Sequence, residues 1–170
     1  MNTLREKKIA LFRKVFKERG IKVTHQRLEI FLEVVDAADH PSAEDVFRRV
    51  QVRIPTVSLD TVYRTLSTFD KQGLITRVNL FEDKTRFDPK TNQHHHLLCS
   101  NCRSIMDLHW PEIDAVSFPS ETYEWGRVDG RRVQLIGLCS KCLSEEEGES
   151  NRDKCQDQDA QDRQDSEGSS

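Results

Sequence analysis

Apolar residues recur at helical spacing four times along the first 73 residues. Leu4, Ile9, Leu11, Phe12, Val15 and Phe16 predict an amphipathic helix over residues 4–19 that Gly20 ends. Thr24 is placed to cap a second helix with Leu28, Phe31, Leu32 and Val35 on its buried face. Pro41 precedes Ser42-Ala43-Glu44-Asp45, a capping pattern that predicts a third helix with Val46, Phe47 and Val50 toward the core; Pro55 closes it. Ser58 opens a fourth, in which Leu59, Val62, Leu66 and Phe69 share a face and Lys71-Gln72-Gly73 is the stop.

The period then shortens. Leu74–Leu80 reads as a strand, Phe81-Glu82-Asp83-Lys84 as a turn, and Thr85-Arg86-Phe87 as its return. Helices followed by a hairpin are the order of a winged helix-turn-helix, here assigned to residues 1–88. Polar residues around Pro89 predict a hinge over 89–93. Apolar runs at 96–98, 105–108 and 133–138, with a helix near Pro111–Phe118 to cover them, predict a small α/β domain over 94–143. The fold class is therefore α+β. A domain of about 50 residues has a marginal core unless something staples it.

Charge divides the chain further. Of the net −3, residues 144–170 carry ten acidic and three basic side chains, a net of −7, so the rest of the chain carries +4. Residues 1–92 hold 18 basic against 13 acidic groups, which suits a nucleic-acid-facing domain. The tail has almost no apolar residues and is expected to be disordered, with Cys155 an exposed spare thiol. No apolar run approaches a membrane span and the first residues lack a secretion signal, so a cytoplasmic protein without a membrane partner is expected.

The staple is legible in the cysteines. Cys99-Ser100-Asn101-Cys102 and Cys139-Ser140-Lys141-Cys142 are two C-x-x-C pairs, each able to turn both sulfurs toward one ion. Four thiolates leave no open position, so Zn(2+) here is expected to be structural; a redox pair or two disulfides are the alternatives. A second cluster holds no sulfur. In an extended His94-His95-His96, the first and third imidazoles share a face and the second points away. With Asp107 on the next strand, Asp88 at the hinge and His40 in the first domain, they form a mixed nitrogen and oxygen set suited to Fe(2+) or Mn(2+). Three adjacent histidines in a solvated turn are the bland reading.

With these motifs, and with Val23-Thr24-His25-Gln26-Arg27, His40-Pro41-Ser42-Ala43-Glu44-Asp45-Val46, Ser58–Leu66 and Arg86-Phe87-Asp88, the chain resembles the ferric uptake regulator family over residues 4–143. The resemblance implies a homodimeric repressor rather than an enzyme, with a DNA-binding N-terminal domain and a dimerising C-terminal one. It implies structural zinc on Cys99, Cys102, Cys139 and Cys142, and a regulatory metal on His40, Asp88, His94, His96 and Asp107. Metal would draw the two domains together and space two winged helices for a palindromic, AT-rich operator in double-stranded DNA.

Within the family, the chain is most like the peroxide-responsive repressors, which have aspartate at the position of Asp107 where iron sensors usually have glutamate. Iron sensors also commonly carry an aspartate where His95 stands, and a further downstream histidine, which is absent here because none follows His109. The implied mechanism is iron-catalysed oxidation of His40 and His94. The run Thr61–Leu66 looks more like iron-sensing members, so a reversible iron-responsive repressor is the alternative, with zinc or manganese sensing behind it. The open face of the fourth helix offers Ser58, Asp60, Thr61, Tyr63, Arg64 and Ser67 to DNA, with Arg64 suited to guanine or a phosphate and Tyr63 to a thymine methyl, and Lys22, Arg27, Arg77, Lys84 and Arg86 suit phosphates. A metal-dependent hydrolase lacks a glutamate base beside the histidines, and a protein-binding zinc adaptor leaves the basic half unexplained.

Overall fold

The computed structural model describes residues 3–78 and 85–146. The predicted end of the first hairpin strand at Leu80, the turn 81–84 with Lys84, Cys155 and most of the acidic tail lie outside them. The described residues form two compact units, one ending at Gln93 and the other beginning at His94.

The first unit runs α1 (Leu4–Glu18), α2 (His25–Asp36), α3 (Ala43–Gln51), α4 (Leu59–Lys71), β1 (Thr76–Val78) and β2 (Arg86–Asp88). Each helix begins on a side-chain cap: Thr3 and Ser42 form full capping boxes with Glu6 and Asp45, and Thr24 and Ser58 accept from the backbone three residues on. The Thr3 box was not foreseen. Gly20 and Gly73, at φ 64° and 67°, end α1 and α4 alike. Each donates to the carbonyl three residues back, and the next residue, Ile21 or Leu74, donates to Phe16 or Phe69, so apolar side chains close both helices.

Four phenylalanines form the centre. Phe12 lies 4.3 Å from Phe16, 4.9 Å from Phe31 and 5.8 Å from Phe69, ring centre to ring centre, and all four are buried. The faces differ in detail from expectation. Leu4 is 71% exposed and Leu11 is also exposed, because Phe12 and Phe16 alone reach the centre from α1. On α2 the fully buried residues are Ile30, Phe31 and Val34, with Leu28 and Val35 packed at the margin. Phe69→Ala is expected to lower the unfolding free energy by about 3–5 kcal/mol in urea titration; a loss below about 1 kcal/mol would show that the cluster re-closes.

β1 and β2 pair antiparallel, Arg77 opposite Phe87, and β2 continues through Asp88, one residue beyond the predicted strand. Phe87 packs on the helical core and its N–H donates to Pro41 at 3.0 Å, while Ser42 bridges Arg86. The wing's return strand is thereby fastened to the residues that open α3.

In the second unit β3 (His95–Cys99) lies between β4 (Ile105–Leu108), antiparallel, and β5 (Gln134–Gly137), parallel. The crossover holds α5 (Pro111–Asp114) and α6 (Glu121–Trp125), neither with a buried residue. The predicted covering helix is one turn long, ending at Asp114 with Ala115 as its C-cap rather than running to Phe118. Residues 140–146 are helical, so the first residues of the predicted tail continue a helix. The buried residues among those described in this unit are Leu98, Ile105, His95, His96, Cys99 and Cys142, mostly imidazoles and thiols rather than hydrocarbon.

Candidate functional site

The second unit's sheet register assembles the cysteines. Cys99 ends β3 opposite Gly137 of β5, two residues before Cys139, and Ser100 N–H donates to Gly137 at 2.8 Å. Arg103 takes a left-handed φ of 61°, letting its N–H return to the Cys99 carbonyl at 3.1 Å and closing the first knuckle. All four Sγ atoms lie within 4.8 Å of one another, with Cys102 and Cys139 at 3.7 Å. A tetrahedron with metal–sulfur bonds of about 2.3 Å has edges of about 3.8 Å, so the Cys102–Cys139 pair already stands at a zinc edge and the four residues suit that ion. The thiols are free, as a metal site requires. Backbone N–H groups, Cys139 first, draw the Cys99 thiol down to about 6; burial and the neighbouring thiols push Cys142 up to about 12. A thiolate is thus favoured at Cys99, and hydrogen bonds from Ser104 lower the Cys102 thiol as well.

The same strands place the sulfur-free donors. His96 on β3 sits opposite Asp107 on β4. His94 Nε2 lies 3.1 Å from His96 Nε2, and Asp107 Oδ1 lies 3.5 Å and 3.7 Å from the two rings. A cation with bonds of about 2.1 Å meeting at right angles has ligand edges of about 3 Å, close to this triangle. His95 turns the other way and is fully buried. Its Nδ1 accepts from Val133 N–H at 3.1 Å, which leaves the proton on Nε2, 3.3 Å from Asp114. His95 is therefore engaged in holding the crossover to the sheet.

In the first unit His40 and Asp88 form a pair, Nε2 to Oδ2 at 3.8 Å, both buried. His40 has φ 48°, and Arg86 donates to its carbonyl at 3.3 Å. Lys8 of α1 donates to the Pro89 carbonyl; burial lowers its pKa, and the charge of Asp88 partly restores it. Nothing in the local sequence marks Lys8 as a neighbour of Asp88, 80 residues away.

On α4, Val62, Thr65, Leu66 and Phe69 are buried and the opposite face is open. Ser58 and Thr61 are hydrogen-bonded to each other in the cap at 2.8 Å. Arg64 is 81% exposed and pairs with Asp60 at 3.0 Å. Tyr63 is exposed, and its hydroxyl donates to Glu44 of α3 at 2.6 Å. Arg77 points to α4, where Asp70 and Ser67 take its guanidinium at 2.9 Å and 3.0 Å. Arg27 donates to the Lys22 carbonyl at 2.6 Å. Arg86 reaches inward to the His40 carbonyl and toward Asp45, bracing the wing against the start of α3.

Residues 18–126 match the Ferric uptake regulator family, well over half of the chain. The chain belongs to that family. As a member it is a metal-responsive transcriptional regulator and not an enzyme, built on the family's DNA-binding and dimerisation architecture. It is 32% identical over 130 residues to the peroxide operon regulator of Bacillus subtilis, an alignment covering 76% of this chain and 90% of the relative. Among solved structures it is similar to the ferric uptake regulator of Helicobacter pylori, at TM-score 0.70 and 21% identity, covering 84% of this chain and 97% of that one. It is also similar to the ferric uptake regulator of Francisella tularensis with iron, at TM-score 0.64 and 26% identity, covering 73% and 96%. No described helix is long and apolar enough to cross a membrane.

Proposed function

We propose that this chain is a cytoplasmic, homodimeric, metal-activated repressor of double-stranded DNA that senses peroxide through oxidation of His40 and His94. The observation that carries the reading is the triangle of His94, His96 and Asp107, a donor set of two imidazoles and one carboxylate without sulfur. Zinc on Cys99, Cys102, Cys139 and Cys142 would hold the second unit together. His40 and Asp88 would complete the regulatory site across a hinge at 89–93, joining a winged-helix domain (1–88) to a dimerisation domain (94–143). A cation that needs ligands from both domains favours the arrangement that supplies them. The exposed edge strand β5, with Leu135 and Ile136 open to solvent, supports a second copy as the partner.

Fe(2+) held by His40, Asp88, His94, His96 and Asp107 would supply reducing electrons to peroxide, placing the resulting oxidant beside the two imidazoles His40 and His94. An imidazole that gains an oxygen loses a ring nitrogen's basicity and its place in the donor set, and DNA is released. Identity of Asp107 and the buried, structurally engaged His95 support this reading over a reversible iron sensor, as does the Bacillus subtilis relative. The run Thr61–Leu66 favours the reversible iron-responsive alternative.

The test loads the dimer anaerobically with Fe(2+), adds a slight excess of hydrogen peroxide, and maps oxygen addition by peptide mass beside a Mn(2+)-loaded control. Iron-dependent addition of one oxygen to His40 or His94 is expected. Unmodified histidines would leave reversible metal sensing as the function. On the DNA side, Arg64→Ala is expected to weaken operator binding by about 1–3 kcal/mol and relax base preference. Equal weakening on all sequences in a mobility-shift series would assign Arg64 to phosphate.

A further inference from the structure

Tyr63 stands on the open face of α4 with its ring 45% exposed, while Val62 and Leu66 beside it are buried. Its hydroxyl does not project freely. It is held at 2.6 Å by Oε1 of Glu44, a residue of the first turn of α3, 19 positions earlier. That distance is typical of a hydroxyl donating to a carboxylate. Glu44 sits on a rigid footing: the Ser42–Asp45 capping box fixes the start of α3, and Ser42 also bridges the wing strand. By contrast Arg64 pairs with Asp60 on its own helix, an exposed contact of little strength.

A carboxylate offers lone pairs and no proton, so the phenol must donate to it. The one O–H of Tyr63 is then committed, and only the lone pairs of Oη face outward. Such an oxygen accepts a hydrogen bond and cannot give one. Phosphate oxygens, guanine O6 and N7, and thymine O4 are all acceptors and are refused. The major-groove donors are the amino groups of adenine N6 and cytosine N4. The hydrogen bond also raises the Tyr63 pKa, which keeps the phenol protonated.

We infer that Glu44 is a specificity-setting positioning residue, which turns Tyr63 into an acceptor that reads the exocyclic amino group of adenine or cytosine in the operator. This rests on the reading of the chain as a DNA-binding repressor. The test starts from an operator selected out of a random DNA pool by the Mn(2+)-loaded full chain. At each position, adenine is replaced by purine, which lacks the amino group, and by hypoxanthine, which carries a carbonyl there. Cytosine is likewise replaced by 2-pyrimidinone and by uracil.

For the wild type, removal of the amino group at one position in each half-site should weaken binding about five- to tenfold, and the carbonyl base should weaken it more. Which series responds identifies the base. Tyr63→Phe should abolish the difference. Glu44→Leu frees the hydroxyl to donate, so the extra penalty for the carbonyl base should disappear, while Glu44→Gln keeps an acceptor oxygen and restores the wild-type order. Melting temperatures measured alongside separate this from a merely structural role. A pool yielding no enriched sequence overturns the repressor reading and this inference with it. An operator whose base-analogue ratios are the same in wild type, Tyr63→Phe and Glu44→Leu overturns the inference alone.

Discussion

Serine in place of Cys99 is expected to strip the protein of zinc and unfold the second unit. The unit has little else to hold it. Leu98 and Ile105 are its buried hydrocarbon, and α5 and α6 bury none. Burying a few apolar side chains contributes about 1.5–3 kcal/mol each, far below the ordering entropy of a 50-residue domain. A structural zinc site contributes on the order of 10–16 kcal/mol in small domains, enough to reverse the balance. Cys99 is the most informative cysteine to change, because it is buried, ends the central strand and is the thiol that the backbone N–H groups draw down to about 6. Elemental analysis should fall from one zinc per chain to none. Amide exchange protection across β3, β4 and β5 should vanish while α1–α4 keep theirs, since the phenylalanine cluster is complete within the first unit. Retained zinc, or unchanged protection in β3, would refute the site.

Alanine in place of His96 should have the second largest effect, and on function rather than folding. His96 faces Asp107 across the β3–β4 ladder and lies 3.1 Å from His94, so its loss removes the centre of the nitrogen and oxygen triangle. Moving a two-state population from 1:99 to 99:1 requires about 10⁴-fold preference for one state, and a set with one imidazole fewer falls short of that. Operator affinity in Mn(2+) should drop about 100-fold, to the level of metal-free wild type, consistent with the loss of most of that preference. Zinc content should stay at one per chain, and the exposed His109→Ala should behave as wild type. Full metal-dependent DNA binding by His96→Ala would remove the triangle from the regulatory site.

Local chemistry made much of this molecule readable in advance. Thr24, Ser42 and Ser58 cap helices because a short polar side chain meets a backbone N–H three residues later, and Gly20 and Gly73 end helices because they tolerate positive φ. The two C-x-x-C pairs and the alternation in His94-His95-His96 are equally local. Leu4 and Leu11 stay exposed despite their place in the pattern, because helical spacing identifies a stripe, not how far the neighbouring elements extend to cover it. The helix opened by Pro111 stops at Asp114 and buries no residue, so it lacks the packed apolar face from which most helical stability comes.

The sequence by itself thus determined element types, their ends and the inventory of ligating side chains, all of which depend on residues a few positions apart. The tertiary structure decided which groups meet. The strand registers set Asp107 opposite His96 and carry Cys139 back to Cys99. The packing of α3 on α4 delivers Glu44 to Tyr63, and the tie between β2 and Pro41 turns Arg86 inward to His40, 46 positions away. Such partners are joined by the path of the whole chain through a packed core, and no pattern local to either residue encodes it.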